Sequence, residues 1–370
     1  MRKYLSLWLV LFLCLLAAAC QSNTNTNRNN NAAASPEAQP DPEADPEAET
    51  ITEGGDASAG ELVVYSGRAD TLVQPIIDQF AAATGIRVEV RYGSTAEIAA
   101  TLLEEGENSP ADLFYAQDPG GLGAVEAAGL LSPLPEEILS QVPARFADVN
   151  GEWIGISGRA RVIVYNTDTL TEAALPASIE GFTDPQWRGK IGWAPSNGSF
   201  QAMVTAMRNI WGEERTRTWL AGIQANEPVV FENNTAIVAA VGTGEIEIGF
   251  VNHYYLFRFL AEQGETFPVR NYFMANEGPE SLIMVSGAGI LKTAENRANA
   301  ERFMAFLLSL PGQQYFTAQT FEYPVVEGVT VSPLLTPLAE LDAAAADIAL
   351  NDLSDLEGTA ALLSELGILP

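Results

Sequence analysis

The chain has 370 residues, with 48 Asp or Glu against 19 Lys or Arg, and its formal net charge at pH 7 is −29. Such an acidic chain disfavours nucleic acids and anionic membranes as partners; the charge serves solubility or helps to attract a cation. A single histidine excludes metal sites built from several histidines and disfavours a Ser-His-Asp triad.

The first 20 residues predict a secretory signal peptide. A short basic start precedes an apolar run, residues 5–16, that is too short to span a membrane. The ending "LAAAC" resembles a bacterial lipoprotein signal in which Cys20 is lipidated, and a plain signal cleaved after the alanines is the alternative. Loss of Cys14 with the signal leaves one cysteine, which excludes a disulfide.

Residues 21–60 are rich in Asn and Thr and then in Pro, Glu, Ala and Asp, with no aromatic residue. Such a segment buries too little apolar surface to fold, so we expect a disordered acidic linker. The remaining body, residues 61–370, is too long for one hydrophobic core, which predicts two lobes.

Strands and helices alternate at the start of this body. "ELVVYSG" predicts a strand, a helix follows and ends at Gly85, and "RVEVRYG" predicts a strand. The next helix carries Ser94 and Glu97 at capping-box spacing and precedes the strand "ADLFYAQD". This order predicts an α/β fold with a mostly parallel sheet and helices on both faces. A second set of strands is predicted in "RARVIVYN", "KIGWAPS", "EPVVFEN" and "EIEIGFVN".

Polar stretches follow several of these strands, where ligands of α/β sheets bind. They are "YSGRAD", "YGSTAE", "YAQDPGG", "APSNGSF", "ENNTA" and "VNHYY". Nucleophile-elbow, phosphate-loop, zinc-protease and dinucleotide motifs are absent from the sequence, so we expect a binding protein rather than an enzyme.

Two adjacent tyrosines, Tyr254 and Tyr255, follow the last of these strands. Phenolate oxygens suit a hard cation such as Fe³⁺, whose charge promotes loss of the phenol proton. Both phenols can reach one ion if the chain leaves the strand and enters a helix at this point. The alternative is that one tyrosine packs in the core and the other is exposed.

At this motif the chain resembles the bacterial ferric-iron-binding proteins, the periplasmic solute-binding components of Fe³⁺ ABC transporters. The motifs occur in the family's order: "VYSGR", "GENSPADLFYAQDPGGLGAVEAAGLL", "SGRARVIVYN", "DPQWRGKIGWAPSNGSFQ", "NNTAIVAAVGTGEIEIGFVNHYY" and "EYPV". The resemblance implies a two-lobed type II periplasmic-binding-protein fold with a ligand cleft, and Tyr254 and Tyr255 as iron ligands. We expect a first lobe of residues 61–156 and 286–335, a second of 157–285 and 336–370, and hinges near 143–160 and 285.

Three positions depart from the family pattern. Ala69 stands where many members have a histidine, Gln117 where many have a glutamate, and Ser199 where a subgroup has a third tyrosine. The resemblance therefore leaves Gln117 and the neighbouring Asp118 as candidate metal-site residues from the first lobe, with Asp118 acting directly or through water.

Family members often bind iron with an oxyanion such as carbonate or phosphate. The amino terminus of the predicted helix after "APSNGSF" favours an anion physically. The expected anion-binding residues are Asn197, Gly198, Ser199, Asn234, Asn252 and Arg159. Helix capping by Asn197 and Ser199, and a structural salt bridge at Arg159, are the alternatives.

The sequence thus predicts an exported, lipid-anchored monomer that captures Fe³⁺ and passes it to an ABC permease. One alternative is the same fold binding an anionic or small organic solute, such as thiamine, a phosphonate or a polyamine. Another is a ligand sensor that docks on a receptor.

Overall fold

Short apolar strands and amphipathic helices alternate along the chain. The computed structural model describes residues 59–274, 276, 278–343 and 345–369, so the signal peptide, Cys20 and nearly all of the predicted linker lie outside the described residues. The strands are β1 (Glu61–Ser66), β2 (Arg87–Tyr92), β3 (Leu113–Ala116), β4 (Leu131–Ser132), β5 (Trp153–Asn166), β6 (Ile191–Trp193), β7 (Val229–Val230), β8 (Ile248–Asn252), β9 (Val269–Tyr272) and β10 (Ile283–Leu291). The α-helices are α1 (Asp70–Thr84), α2 (Thr95–Glu105), α3 (Pro119–Ala127), α4 (Glu136–Leu139), α5 (Gly198–Trp211), α6 (Glu213–Ala225), α7 (Asn234–Thr243), α8 (Tyr254–Gln263), α9 (Arg297–Leu308), α10 (Leu310–Tyr315), α11 (Leu338–Asp342) and α12 (Leu356–Glu365).

Local sequence signals set the ends of the first two helices. Helix α1 ends at Thr84 because Gly85 takes a left-handed conformation (φ 72°) that glycine adopts without steric cost. Helix α2 begins with the predicted capping box, in which the Ser94 and Glu97 side chains each accept the other residue's backbone N–H.

The strands join in the order β2-β1-β3-β10-β5-β8-β6-β7. Strand β1 is parallel to β2 and β3 at one end, and β6 is parallel to β7 and β8 at the other. The central strands β5 and β10 run antiparallel to their neighbours. The predicted parallel arrangement is therefore present at both ends, whereas the centre is antiparallel.

Strand β5 connects the two halves of the molecule. All 14 of its residues are buried, and its first part, Trp153 to Ala160, pairs with β10. Its second part pairs with β8 and β9. A register shift lies between Ser286 and Gly287 of β10, beside the point where β5 passes from one half to the other. The predicted hinges near 143–160 and 285 overlap this crossing in part, and their role as hinges stays a prediction.

The hydrophobic core is divided in the same way. One cluster draws mainly on residues 62–156 and 282–325, and two others draw mainly on residues 162–269. The carboxyl-terminal segment contacts both sides, because Leu350 and Leu353 belong to the first cluster and Leu362 and Leu363 to the second. The predicted lobe boundaries, which assign 336–370 to the second lobe alone, stay a prediction. In the described part of the chain, every helix is too short or too polar to cross a membrane.

Candidate metal centre

The tyrosine pair lies where β8 ends and α8 begins. His253, which lies between the end of β8 and the start of α8, already has helical backbone angles (φ −57°, ψ −38°), and α8 starts at Tyr254. Side chains of successive strand residues point to opposite faces, whereas those of successive helical residues diverge by only about 100°. The two phenol rings stack with centroids 4.3 Å apart and an interplanar angle of 28°. The change from strand to helix therefore brings both phenols to one place.

A pocket of about 440 Å³ is lined by Tyr255, one member of this pair. Both halves of the molecule line it: Gly67, Ala69, Gly93, Ser94, Thr95, Glu97, Gln117, Asp118, Ser196, Asn197, Gly198, Glu232, Asn233 and Tyr255. Tyr254 is fully buried, whereas Tyr255 is partly exposed, so the two differ in burial as the alternative expected while their rings stay in contact. Burial raises the pKa of Tyr255 well above its usual value, and Tyr254 adds to the rise. A cation beside the Tyr255 oxygen would oppose this rise and favour the phenolate.

Gln117 joins the first half of the molecule to Tyr254. It follows β3, and its Nε2 donates to Tyr254 Oη at 2.8 Å. Its Oε1 accepts from Arg68 Nη1, also at 2.8 Å. Both ends of the Gln117 amide, predicted from the resemblance as a metal-site residue, are thus engaged by protein groups.

Asp118 presents a buried carboxylate beside the pocket. It is fully buried, and among the described residues neither carboxylate oxygen has a hydrogen-bond partner. A Cβ atom built on Gly198, the first residue of α5, would lie 2.5 Å from Asp118 Oδ2, so the carboxylate touches the amino terminus of that helix. Burial raises the pKa of Asp118, and the positive charge of Arg159 opposes the rise. The backbone N–H groups of Gly120 and Gly121, in the first turn of α3, also oppose the rise, so this carboxylate lies at the amino termini of two helices.

Arg159 and Arg161 are two residues apart on β5, so their side chains point to the same face of the strand. Among the described residues no Arg159 nitrogen has a hydrogen-bond partner; the nearest carboxylate oxygen, Glu322 Oε1, is 3.7 Å from Nη2. Arg161 donates from Nη1 to Asn252 Oδ1 at 3.1 Å, and its other two nitrogens lack partners in the same set. Burial lowers the pKa of both, that of Arg161 to about 9. Buried guanidinium donors without partners favour an anion nearby.

Hydrogen bonds connect the predicted anion-binding side chains at the start of α5, at the start of α7 and at the end of β8. Asn197 Oδ1 accepts from Ser199 N and from Asn234 Nδ2, each at 3.2 Å. Asn234 Oδ1 accepts from Asn252 N at 2.9 Å, and Asn252 Nδ2 donates to Ser199 Oγ at 3.1 Å. Asn197 therefore caps α5 as the alternative expected, and it also belongs to a network at the edge of the pocket.

Sequence reasoning missed the buried ion pair beneath the site. Arg68 Nη2 donates to Glu322 Oε2 at 2.6 Å, and both side chains are inaccessible to solvent. Glu322 also accepts from Ser157 Oγ at 3.0 Å and from Thr320 Oγ1 at 2.9 Å. Arg68 lies in "YSGRAD" and Glu322 in "EYPV", two of the stretches already singled out in the sequence. Because charged residues are seldom fully buried without a partner, two opposite charges in such stretches were the available signal of a buried pair.

His253 points away from the tyrosine oxygens. Its Nδ1 accepts from the Ala160 backbone N–H at 3.2 Å, and its Nε2 lies 2.8 Å from the Phe321 carbonyl oxygen, to which it donates. The imidazole also stacks on Tyr323, with centroids 4.7 Å apart. Burial lowers the pKa of His253 to about 4. Across the described residues, no group of three or more His, Cys, Asp or Glu side chains is placed to hold a metal ion.

Comparisons with known proteins show the family to which the chain belongs. Residues 75–343 match the family model described as "Bacterial extracellular solute-binding protein". The chain is 34% identical to the major ferric iron-binding protein of Neisseria meningitidis over 83% of this chain and 93% of that protein.

Two solved structures share the fold over nearly their whole length. Iron-bound HitA from Pseudomonas aeruginosa is 35% identical, with a TM-score of 0.79 over 83% of this chain and 99% of that chain. A Trichodesmium protein in complex with iron and citrate is 29% identical, with a TM-score of 0.70 and the same coverage. The resemblance seen in the sequence motifs is thereby confirmed. The chain belongs to the bacterial extracellular solute-binding proteins, and its similarity to ferric-iron-binding members extends over most of its length.

Proposed function

We propose that this protein captures ferric iron outside the cytoplasm and delivers it to an ABC permease, with no chemistry of its own. The observation that carries the proposal is the stacked pair Tyr254 and Tyr255 at a pocket lined by both halves of the molecule. Two phenolates are hard anionic oxygen ligands of the kind that Fe³⁺ prefers. The ferric-iron-binding relatives named above support the choice of metal.

Asp118 is the third protein group assigned to the metal. Its carboxylate is buried and has no hydrogen-bond partner among the described residues, so coordination or a bound water would satisfy it. Gln117 is the weaker candidate, because Arg68 and Tyr254 already engage its amide.

An exogenous oxyanion completes the coordination shell in this proposal. Three buried arginines, Arg68, Arg159 and Arg161, face two buried carboxylates, Asp118 and Glu322, which leaves one excess positive charge before iron enters. A trivalent cation adds to that excess, and the two phenolates do not neutralise the sum. Carbonate or phosphate would supply negative charge and accept from the free guanidinium donors. Asn197, Gly198, Ser199, Asn234 and Asn252 are assigned to the same anion.

The protein is further proposed to act as a monomer held at the membrane surface by a lipid on Cys20, with residues 21–60 as its tether. The composition of that segment and the signal before it support this placement. The solute-binding family supports transport by a permease, and docking on a receptor is the competing outcome.

An absorbance spectrum recorded with ferric citrate tests the proposal. We expect a visible band from phenolate-to-iron charge transfer in the wild-type protein, and we expect Tyr254→Phe to remove or strongly weaken it. A protein that stays colourless would instead support an anionic or organic solute in the same fold.

A further inference from the structure

A chain of hydrogen bonds runs from a buried carboxylate to the Tyr254 oxygen. Glu322 Oε2 accepts from Arg68 Nη2 at 2.6 Å, and Arg68 Nη1 donates to Gln117 Oε1 at 2.8 Å. Gln117 Nε2 then donates to Tyr254 Oη at 2.8 Å. Arg68, Glu322 and Tyr254 are each 0% exposed, so water does not compete for the bond between Arg68 and Glu322, whereas Gln117 is partly exposed where it lines the pocket.

The direction of every bond in this chain follows from Arg68. A guanidinium group carries donors only, so the Gln117 amide must turn its carbonyl oxygen towards Arg68. The opposite side of the amide is then an NH₂ group, which can only donate to Tyr254. The Tyr254 oxygen is therefore an acceptor in this contact, and its remaining lone pair is free for another partner.

Arg68 is held firmly in the charged state and in one place. Burial alone would lower the pKa of Arg68, but the charge and hydrogen bond of Glu322, together with the Tyr115 and Tyr254 phenols, outweigh burial and raise that pKa above its usual value. Glu322 is itself fixed by Ser157 and Thr320. The Arg68 backbone N–H donates to Ser66 Oγ at 3.1 Å, which ties the residue to the end of β1.

We propose that Arg68 is a positioning residue that acts through Gln117 to hold the Tyr254 oxygen as a hydrogen-bond acceptor, the polarity in which it can ligate a cation. The inference rests on the proposed function, because it assigns the hydrogen-bonding support of the same iron site. Gln117 is then a donor to a metal ligand and not itself a ligand. A carboxylate at position 117 would offer acceptors to both neighbours and would leave the Tyr254 oxygen without this donor.

Two substitutions at Gln117 separate these roles. Gln117→Met keeps the shape of the side chain and removes the donor, and Gln117→Glu replaces the donor with an acceptor. Ferric citrate is added to each full-length variant, and the maximum of the visible band and the iron affinity are measured. Gln224→Met, on α6 away from the pocket, is the matched control.

We expect Gln117→Met to shift the band to longer wavelength, because a phenolate that has lost its hydrogen-bond donor holds its electrons less tightly. Iron affinity should fall roughly 10- to 100-fold, as for other residues that orient metal ligands. Gln117→Glu should also weaken iron binding, whereas a direct ligand role for position 117 predicts that a carboxylate strengthens it.

A double-mutant cycle tests Arg68 itself. Arg68→Met should shift the band in the wild-type background and cause no further shift in the Gln117→Met background, because its effect passes through Gln117. Equal shifts in both backgrounds, or no shift in the first, would overturn the role of Arg68. Should Arg68→Met fail to fold because Glu322 loses its partner, Arg68→Lys, which keeps the positive charge beside Glu322 but lacks the guanidinium fork, takes its place in the cycle.

The remaining outcomes are also decisive. Tighter iron binding by Gln117→Glu, or a band and affinity unchanged in Gln117→Met, would overturn the relay while leaving the proposed function intact. A wild-type protein without a visible band would overturn the proposed function, and the relay with it.

Discussion

At the scale of single residues, the two tyrosines have the same chemistry but different surroundings. Tyr254 is fully buried and accepts from Gln117, whereas Tyr255 is partly exposed at the pocket. Tyr254→Phe should therefore lower the free energy of unfolding by about 1–1.5 kcal/mol, because the partly buried Gln117 amide loses its acceptor. Tyr255→Phe should cost less than about 1 kcal/mol. Urea unfolding of both iron-free variants measures the difference, and equal losses would contradict the burial argument.

A second prediction at this scale concerns His253 and the pH dependence of stability. Its pKa is lowered by burial to about 4 in the folded protein, against about 6.5 when unfolded. Between these values the unfolded chain binds a proton that the folded chain does not, so stability falls as pH falls from 6.5 towards 4. The loss should be on the order of 3 kcal/mol.

His253→Gln should remove this part of the pH dependence of unfolding in the iron-free protein. Iron release on acidification should keep its midpoint, because the imidazole is bonded to backbone groups away from the tyrosine oxygens. A midpoint displaced by a full pH unit in His253→Gln would show that the histidine supports the metal directly.

At the scale of elements, the amino terminus of α5 packs against Asp118, in the segment between β3 and α3. The contact depends on Gly198, since an added Cβ would lie 2.5 Å from Asp118 Oδ2. Gly198→Ala should displace the carboxylate, weaken iron binding and lower the free energy of unfolding by about 1–3 kcal/mol. Thermal unfolding and iron titration measure the two effects.

The control for that prediction is the double variant with Asp118→Ala. If the carboxylate is the group that clashes, Gly198→Ala should add little further destabilisation once Asp118 is shortened. Additive losses would place the clash elsewhere in α5.

At the scale of the whole molecule, the amino-terminal segment should be separable from iron binding. A chain that begins at Glu61 loses the bond from Arg87 N to the Gly60 carbonyl oxygen, 3.1 Å, and one contact of Asn299 with Ala59. Both lie outside the pocket, so iron affinity should be unchanged and stability reduced by only about 1 kcal/mol. Isothermal titration with ferric citrate checks the affinity, and a large loss would make residues 21–60 part of the site.

The sequence by itself determined the local structure and the family. Gly85, the capping box of Ser94 and Glu97, and the change from strand to helix before Tyr254 are short-range signals, and each was found where predicted. The order of motifs was sufficient for the resemblance, which the comparisons confirm. Local hydrogen bonds and side-chain periodicity carry such information within a few residues.

Only the tertiary structure decided how the candidate site is supported. Gln117 meets Arg68 across 49 positions and Tyr254 across 137, and Arg68 meets Glu322 across 254. No local pattern encodes these pairings, because each joins segments that meet only when distant strands, such as β1 with β3 and β5 with β10, pair in the sheet. Some polar residues that a sequence suggests are exposed are in fact buried in the fold. Their desolvation costs free energy wherever a charged group lacks a partner. That is why Arg68, Arg161 and Glu322 emerged from the fold, while the tyrosine pair was already visible in the sequence.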